Sequence, residues 1–318
     1  MASRRRLGKK LFKSLLPILL VVTVALLVAL AFIVRGIAHP PRRAYLVTPK
    51  AFAQISGPAL KVTDETWRNR DNTPARGWLL RGAEGAPAVM LLHHYGADRS
   101  WLFNLGVKIN EATNFTILWP DLRGHGLGPP VQWTSFGTLE AQDVLAAIDF
   151  LRVQKSDGGN RLVGDQVGLF GVELGAYAAL LAAAQEQSVR VLVLDSVPRN
   201  ADELVQTTVT NDLGMSVPLL PALATVATHA YFLGRYENTP ACEIAGSLST
   251  QRVLLLSGSD AGALREATVD LARCFKDKAT TEVKTDLPLT AFNLPSATGQ
   301  DGEGYDRQVI EFLDKNLR

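Results

Sequence analysis

Residues 167–180 read Val167-Gly168-Leu169-Phe170-Gly171-Val172-Glu173-Leu174-Gly175-Ala176-Tyr177-Ala178-Ala179-Leu180. This order predicts an apolar strand, a sharp turn and an alanine-rich helix. In a turn of the form G-x-S-x-G, the two glycines permit a strained backbone that pushes the central side chain into a cleft at the helix N-terminus. Gly171 and Gly175 match this form, but Glu173 stands where the serine would be. The sequence therefore predicts a cleft that lacks its central hydroxyl.

Short apolar runs alternate with helical patterns on either side of this stretch. The strand-like runs are 78–80, 88–92, 115–119, 167–170, 189–194 and 253–256, and the helical patterns are 139–153, 176–184 and 310–317. Near-continuous apolar strands indicate a sheet that is covered on both faces. With 318 residues, 47% of them apolar, the chain is expected to form one globular domain. Alternation of this kind predicts an open, mostly parallel α/β sheet with helices on both faces.

The alternation stops between residues 198 and 249, which favours an inserted helical cap over the carboxyl edge of the sheet. The stretch 215–233 has no charged residue, but Pro218 and Pro221 interrupt it. A second membrane span is therefore not expected here. Such a cap would wall an apolar pocket, or it would face lipid or a partner.

The N-terminal region predicts a membrane anchor. Residues 14–34 carry no charge, and at about 1.5 Å per residue they reach roughly 30 Å, the thickness of the hydrocarbon core. Six basic residues precede them in a cytoplasmic tail, residues 1–13, and this bias places the globular part outside the cytoplasm. Residues 35–57 are predicted to be a stalk, and the globular domain spans 58–318. A cleaved secretory signal is the alternative, because Ala29-Leu30-Ala31 resembles a cleavage site.

The cysteine count leaves two possibilities open. Cys242 and Cys274 are the two cysteines of the chain. They are expected to be small buried thiols, and an oxidising compartment would allow them to form a bridge instead. The formal net charge of +2 is nearly balanced, so a nucleic-acid partner is not predicted.

Three motifs in residues 58–318 resemble the α/β-hydrolase superfamily, especially its bacterial serine-hydrolase and peptidase-like branches. Besides the turn at Glu173, His93-His94-Tyr95-Gly96 follows a strand where the family has H-G-x-G. The resemblance implies that the backbone amides of Tyr95 and Leu174 form an oxyanion hole. His94 stands in place of a glycine there. Asp121-Leu122-Arg123-Gly124-His125-Gly126 resembles the family's D-x-R-G-H-G turn, which makes His125 a scaffold residue.

The resemblance also places the acid of a catalytic triad, but it finds no base. Asp260 ends the turn after the apolar run 253–256 and matches the family's acid position, with Asp195 as the alternative. The base is expected after the last strand, yet no histidine follows His229. A serine hydrolase needs imidazole to take the serine proton and to activate water. Both groups that this chemistry requires, the serine hydroxyl at position 173 and the imidazole after the last strand, are therefore absent.

Two functions remain open at this point. One is a membrane-anchored pseudohydrolase that binds a small apolar ligand or a protein partner. Its Glu173 carboxylate would fill the oxyanion hole, or it would be solvated. The other is an atypical hydrolase of esters, amides or peptides that uses Glu173 with His94 or His229. The chain has no phosphate-binding loop, dinucleotide fingerprint or metal-ligand spacing, so neither a cofactor nor a metal is expected.

Overall fold

The structure is a computed structural model that describes residues 2–56, 61–213, 219–296 and 299–318. The predicted start of the domain at Pro58, the interrupting Pro218 and residues 297–298 of the final loop lie outside the described residues. The chain divides into two compact units. One contains residues up to Ile37 together with Val205–Gly234, and the other contains Ala38–Leu204 and Arg235–Arg318.

The second unit is built on an eight-stranded sheet in the order β1-β2-β4-β3-β5-β6-β7-β8. The strands are β1 (Val62–Arg68), β2 (Pro74–Leu80), β3 (Ala86–Leu92), β4 (Thr116–Pro120), β5 (Val163–Val172), β6 (Val189–Asp195), β7 (Arg252–Gly258) and β8 (Thr281–Leu287). β2 pairs antiparallel with both β1 and β4, and all later pairings are parallel. The predicted mostly parallel sheet is confirmed.

Burial along the strands explains this order. Every residue of β4 is buried, and β3, β6 and β7 have at most two residues that are not. Helices cover both faces of central parallel strands, and these strands therefore require continuous apolar runs. Apart from the buried Leu287, the residues of the outer strands β1 and β8 are exposed or half-buried. Both strands carry charges, as edge strands commonly do.

Ten α-helices and two short 3-10 helices accompany the strands in the described residues. They are α1 (Ala2–Ala38), α2 (Pro49–Ser56), α3 (Phe103–Thr113), α4 (Thr138–Arg152), α5 (Leu174–Ala183), α6 (Ala201–Leu213), α7 (Leu219–Phe232), α8 (Ala241–Ser247), α9 (Ala263–Ala272) and α10 (Gln300–Leu317), with 3-10 turns at Lys278–Thr280 and Leu294–Ser296. α3 packs with α10 and α4 packs with α5, and both pairs contact the sheet. Helices thus flank the sheet as predicted.

The N-terminal helix α1 is long and apolar enough to cross a membrane. Its apolar part, Ser14–Ala38, has 25 residues and a length of about 37 Å. Side chains along this part are largely exposed, among them Leu20, Val21 and Leu26. The anchor predicted for residues 14–34 therefore coincides with one continuous helix.

The segment predicted to be a stalk, residues 35–57, differs from that expectation over its described part. Its first residues complete α1, and residues 49–56 form α2. Between them the Tyr45 ring lies 5.2 Å from the Trp78 ring, and its hydroxyl donates a hydrogen bond to Asp121 Oδ2 at 2.9 Å. Phe52 of α2 packs edge-on against Phe103. These half-buried aromatic side chains pack on the sheet unit, and residues 38–56 belong to that unit.

The insertion predicted at about 198–249 is helical in its described part. α6, α7 and α8 lie between β6 and β7, where the strand-helix alternation is interrupted. α7 has 14 residues, fewer than the about 20 that a span requires. α7 and residues 205–213 of α6 fall in the unit that contains α1, whereas α8 belongs to the sheet unit.

The two cysteines are joined in a disulfide, so the expectation of two buried free thiols is wrong. Cys242 in α8 is bonded to Cys274, which follows α9, and their Cα atoms are 5.2 Å apart. Neither residue is buried. The bridge ties the end of the insertion to the helix between β7 and β8.

Candidate active site

The turn between β5 and α5, here called the elbow (residues 171–175), has the strained geometry that its sequence predicts. Glu173 adopts φ 49° and ψ −104°, a conformation that costs a non-glycine residue about 1–3 kcal/mol. A Cβ on Gly171 would lie 2.5 Å from the Gly175 backbone, and a Cβ on Gly175 would lie 2.2 Å from the Leu92 carbonyl oxygen. Both glycines are therefore required for the approach of α5 to β3 and β5.

The Glu173 side chain is turned inward, and 6% of the residue's surface is exposed. Its Oε2 atom accepts a hydrogen bond from the backbone amide of Tyr95 at 3.0 Å. Leu174, the other residue predicted for the oxyanion hole, begins α5 directly after Glu173. The carboxylate thus lies on an amide of the predicted oxyanion hole, and it is not the solvated group of the alternative expectation.

The loop after β3, residues 93–96, holds two imidazoles, of which that of His93 is buried and that of His94 is half-buried. His93 Nε2 accepts from the Leu122 amide at 3.1 Å, and its Nδ1 bonds to the His94 carbonyl. His94 Nδ1 lies 2.7 Å from the Tyr95 carbonyl oxygen, which assigns the proton to Nδ1. Burial, followed by the neighbouring His93, lowers the pKa of His94 to about 3. His94 is therefore neutral near pH 7 and a weak base.

Aromatic side chains enclose the His94 ring. Its centroid lies 4.9 Å from the rings of both Trp101 and Phe292. The Trp101 indole in turn donates to the carbonyl oxygens of Ala291 and Phe292. Packing against these rings fixes the His94 side chain, so we interpret His94 as a structural residue that lines the site. His229, the other candidate base, is exposed on α7 in the first unit.

His125 is buried in the turn after β4 and supports the scaffold. Its Nδ1 lies 2.8 Å from the Arg123 carbonyl oxygen, and its ring contacts Tyr95 at 5.5 Å between centroids. The Arg123 guanidinium donates hydrogen bonds to both carboxylate oxygens of Asp143 on α4. A two-pronged pair of this kind fixes the turn geometrically. The turn therefore supports the ring of Tyr95 through its contact with His125.

Asp260, predicted at the acid position, follows β7 and faces the loop after β8. Its Oδ2 accepts hydrogen bonds from Thr290 Oγ1 at 3.0 Å and from Asn293 Nδ2 at 2.5 Å. Both partners lie in the loop where a base is expected. A hydroxyl and an amide therefore occupy the hydrogen-bonding place that an imidazole would take beside an acid.

Asp195, the alternative acid, ends β6 and is fully buried. Its Oδ2 accepts from the Ala291 amide at 2.8 Å and from the Tyr305 hydroxyl at 2.6 Å, and Ser196 donates to Oδ1. Burial raises the pKa of Asp195 to about 6 despite these bonds. Its backbone oxygen accepts from the Glu173 amide at 2.9 Å. Asp195 thus ties the elbow to the loop after β8.

Comparisons with known proteins place this arrangement in a familiar architecture. No family model and no curated protein matches the chain. Among solved structures, the esterase Pf2001 from Pyrococcus furiosus is 19% identical with a TM-score of 0.65, over 88% of this chain and 100% of that one. The chain has the α/β-hydrolase fold.

Two further structures agree with this assignment. The α/β hydrolase GrgF from Penicillium sp. is 16% identical with a TM-score of 0.60, over 81% of this chain and 99% of that one. Carboxyl esterase 2 from Tuber melanosporum is 12% identical with a TM-score of 0.58, over 88% and 91%. The predicted resemblance to the α/β-hydrolase superfamily is confirmed at the level of the fold.

Sequence reasoning missed part of the site in this α/β-hydrolase fold. Tyr305 is 110 residues from Asp195 along the chain, and no local pattern links them. Thr290 and Asn293 lie in the loop after β8, where the sequence indicated only that the expected histidine is missing. The one available signal was Asp195 itself, an aspartate at the carboxyl end of an apolar strand.

Proposed function

We propose that this chain is a membrane-anchored protein with an α/β-hydrolase fold that has no serine-hydrolase turnover and binds a small apolar ligand or a protein partner. The hydrogen bond from the Tyr95 amide to Glu173 Oε2 carries this proposal. Acyl transfer requires backbone amides aimed at the oxyanion of the tetrahedral intermediate. Here a carboxylate of the chain itself takes one of those amides and places negative charge where the oxyanion would form.

The absence of a base supports the same conclusion. The elbow offers no hydroxyl, and the partners of Asp260 are Thr290 and Asn293. His94 has the wrong properties for the role, because a base with a pKa of about 3 is far from the operating pH at which proton transfer is efficient. The atypical hydrolase that uses Glu173 with His94 is therefore the less favoured function.

Two observations support anchoring with the fold outside the cytoplasm. α1 contains an apolar stretch of sufficient length, and basic residues are concentrated before it. The Cys242–Cys274 bridge is typical of oxidising compartments. We infer a single-pass protein whose N-terminus is cytoplasmic.

Turnover by the full-length chain in detergent micelles tests the proposed loss of activity. The substrate is p-nitrophenyl acetate, and a fluorophosphonate reports any activated serine. The expected result is neither hydrolysis above the heat-unfolded chain nor labelling. Hydrolysis that disappears in Glu173→Ala or His94→Ala would establish the atypical enzyme instead, and labelling would reveal a nucleophile outside the elbow.

A further inference from the structure

Helix α7 exposes several large apolar side chains, unlike a typical surface helix of a water-soluble protein. Its buried positions are Ala224, Thr225, Thr228 and Phe232. Gln206 of α6 donates to Thr225 Oγ1 at 3.5 Å, so a polar contact lies on the buried side. Apart from His229, its exposed positions are apolar or aromatic. The large ones are Leu219 (64% exposed), Leu223 (43%) and Val226 (68%), followed by Leu233 (88%) just after the helix.

These exposed side chains form one continuous row. Within α7, residues 219, 223, 226 and 230 recur at spacings of three and four, which places them on one side of the helix, and Leu233 follows the end of the helix. The intervening Ala230 is also exposed. No charged residue occurs from 219 to 234. The row is therefore an apolar surface without the charged side chains that keep a helix face in water.

Helix α10 of the same chain shows the ordinary arrangement. Its buried side includes Val309, Phe312 and Leu313. Its exposed positions are all polar or charged: Gln300, Asp301, Glu303, Arg307, Glu311 and Lys315. The exposed apolar row of α7 thus has no counterpart on α10.

The membrane anchoring proposed for α1 would offer α7 an apolar phase. α7 and α1 belong to the same compact unit, and the apolar side chains of α1 are likewise exposed. Soluble chains rarely leave a large apolar patch in water, because such patches associate with membranes or partners. Interfacial helices bury their apolar face in the boundary between headgroups and acyl chains. Tyr231 and the exposed Arg235 are residue types that anchor at that boundary.

We propose that the exposed apolar row of α7 docks onto the lipid surface, so that the insertion is a second, interfacial attachment to the membrane. The proposal rests on the membrane anchoring inferred above. It commits to lipid as the occupant because α7 belongs to the same compact unit as the proposed anchor α1, whose apolar side chains are also exposed.

Spin labelling of the full-length chain in phosphatidylcholine vesicles tests the docking. The label is attached at Val226→Cys, with Val21→Cys in α1 and Glu311→Cys in α10 as matched reference sites. Since Cys242 and Cys274 are bonded to each other, the label reacts with the introduced thiol. Collisions with oxygen, which concentrates in lipid, are compared with collisions with a water-soluble nickel chelate. We expect oxygen to dominate at 226 and 21, and nickel to dominate at 311.

The outcomes separate the two proposals. A label at 226 that resembles 311, while 21 lies in lipid, overturns the docking of α7 and leaves the anchor intact. A label at 21 in water overturns the anchor itself. Spin–spin broadening at 226 that disappears on dilution with unlabelled chain identifies a second copy as the occupant and also overturns lipid docking. In support, Leu223→Asp is expected to lower the oxygen-to-nickel ratio at 226 several-fold, because a charge disfavours insertion.

Discussion

The Tyr95 amide donates to the Glu173 carboxylate at 3.0 Å across 78 residues of sequence. The two groups come from different crossovers of the sheet, since Tyr95 follows β3 and Glu173 follows β5. Parallel strands bring both to the carboxyl edge, where the fold usually assembles its oxyanion hole. The bond accounts for an acidic residue that is almost fully buried at a strained position.

The Tyr95 amide is expected to exchange slowly with solvent deuterium as long as Glu173 accepts its hydrogen bond. Glu173→Ala removes the acceptor, so exchange at Tyr95 should accelerate. Glu173→Gln keeps a carbonyl oxygen in the same place and should preserve most of the protection. Hydrogen exchange with mass spectrometry on peptides that cover residues 92–101 measures both variants. Equal exchange in wild type and Glu173→Ala would show that the carboxylate does not occupy this amide.

Restoring serine alone at position 173 is expected to leave the site without hydrolytic activity. Glu173→Ser supplies a hydroxyl, but the groups that face Asp260 remain Thr290 and Asn293. Without an imidazole to accept the proton, the hydroxyl stays a poor nucleophile. Hydrolysis of p-nitrophenyl acetate by Glu173→Ser should equal that of Glu173→Ala, the matched control. Turnover in the serine variant alone would mean that the chain already holds a functional base.

The elbow is expected to tolerate no Cβ at residue 175. In Gly175→Ala the new atom would lie 2.2 Å from the Leu92 carbonyl oxygen, and backbone would have to move. We expect a loss of at least about 3 kcal/mol in the free energy of unfolding. Gly304→Ala is the matched control, because a Cβ at 304 meets nothing within 4 Å. That change, inside α10, should stabilise the helix by up to about 1 kcal/mol, and urea denaturation measures both.

The sheet was predictable from sequence where burial is complete. The six apolar runs correspond to β2 through β7 because strands covered on both faces must be apolar throughout. β1 was not predicted, since its sequence Val62–Arg68 is an edge strand that contains three charged residues and no buried one. The turn at Glu173 was predictable because two glycines at fixed spacing are required by a local backbone constraint.

Contacts between distant segments were not predictable in the same way. The position of the Glu173 carboxylate depends on a rotamer and on where the loop after β3 ends. Residues 38–56 show no periodicity, and their attachment depends on single aromatic side chains such as Tyr45. Two cysteines 32 residues apart carry no information about whether the fold brings their Cα atoms within bonding distance.

The disulfide is expected to stabilise the sheet unit substantially. It closes a loop of 32 residues, for which chain entropy predicts about 3–4 kcal/mol. The double variant Cys242→Ser/Cys274→Ser should therefore unfold at lower temperature than the wild type, and reduction of the wild type should give a similar loss. In intact cells, a maleimide probe should modify these cysteines only after reduction. Modification without reduction would place the fold in a reducing compartment.

Acid is expected to destabilise the fold through His125. Burial, followed by the neighbouring His93, lowers the pKa of His125 to about 3, against about 6.5 in an unfolded chain. Between these values the unfolded state binds the proton and the folded state does not, so stability falls as pH falls from about 7 toward 3. From pH 7 to pH 5 this one histidine should remove about 2 kcal/mol.

Comparison of wild type with His125→Asn isolates this contribution. Asparagine can still donate to the Arg123 carbonyl oxygen, which His125 Nδ1 contacts at 2.8 Å, but it does not titrate. Buried carboxylates such as Asp195 shift stability in the opposite direction with pH, because burial raises the pKa of Asp195. They do so equally in both proteins.

The difference in free energy of unfolding between the two proteins, from urea denaturation at pH 7 and pH 5, should therefore change by about 2 kcal/mol in favour of the variant. A difference that is independent of pH would mean that His125 accepts its proton in the folded state, with Glu140 or Asp121 as the compensating charge.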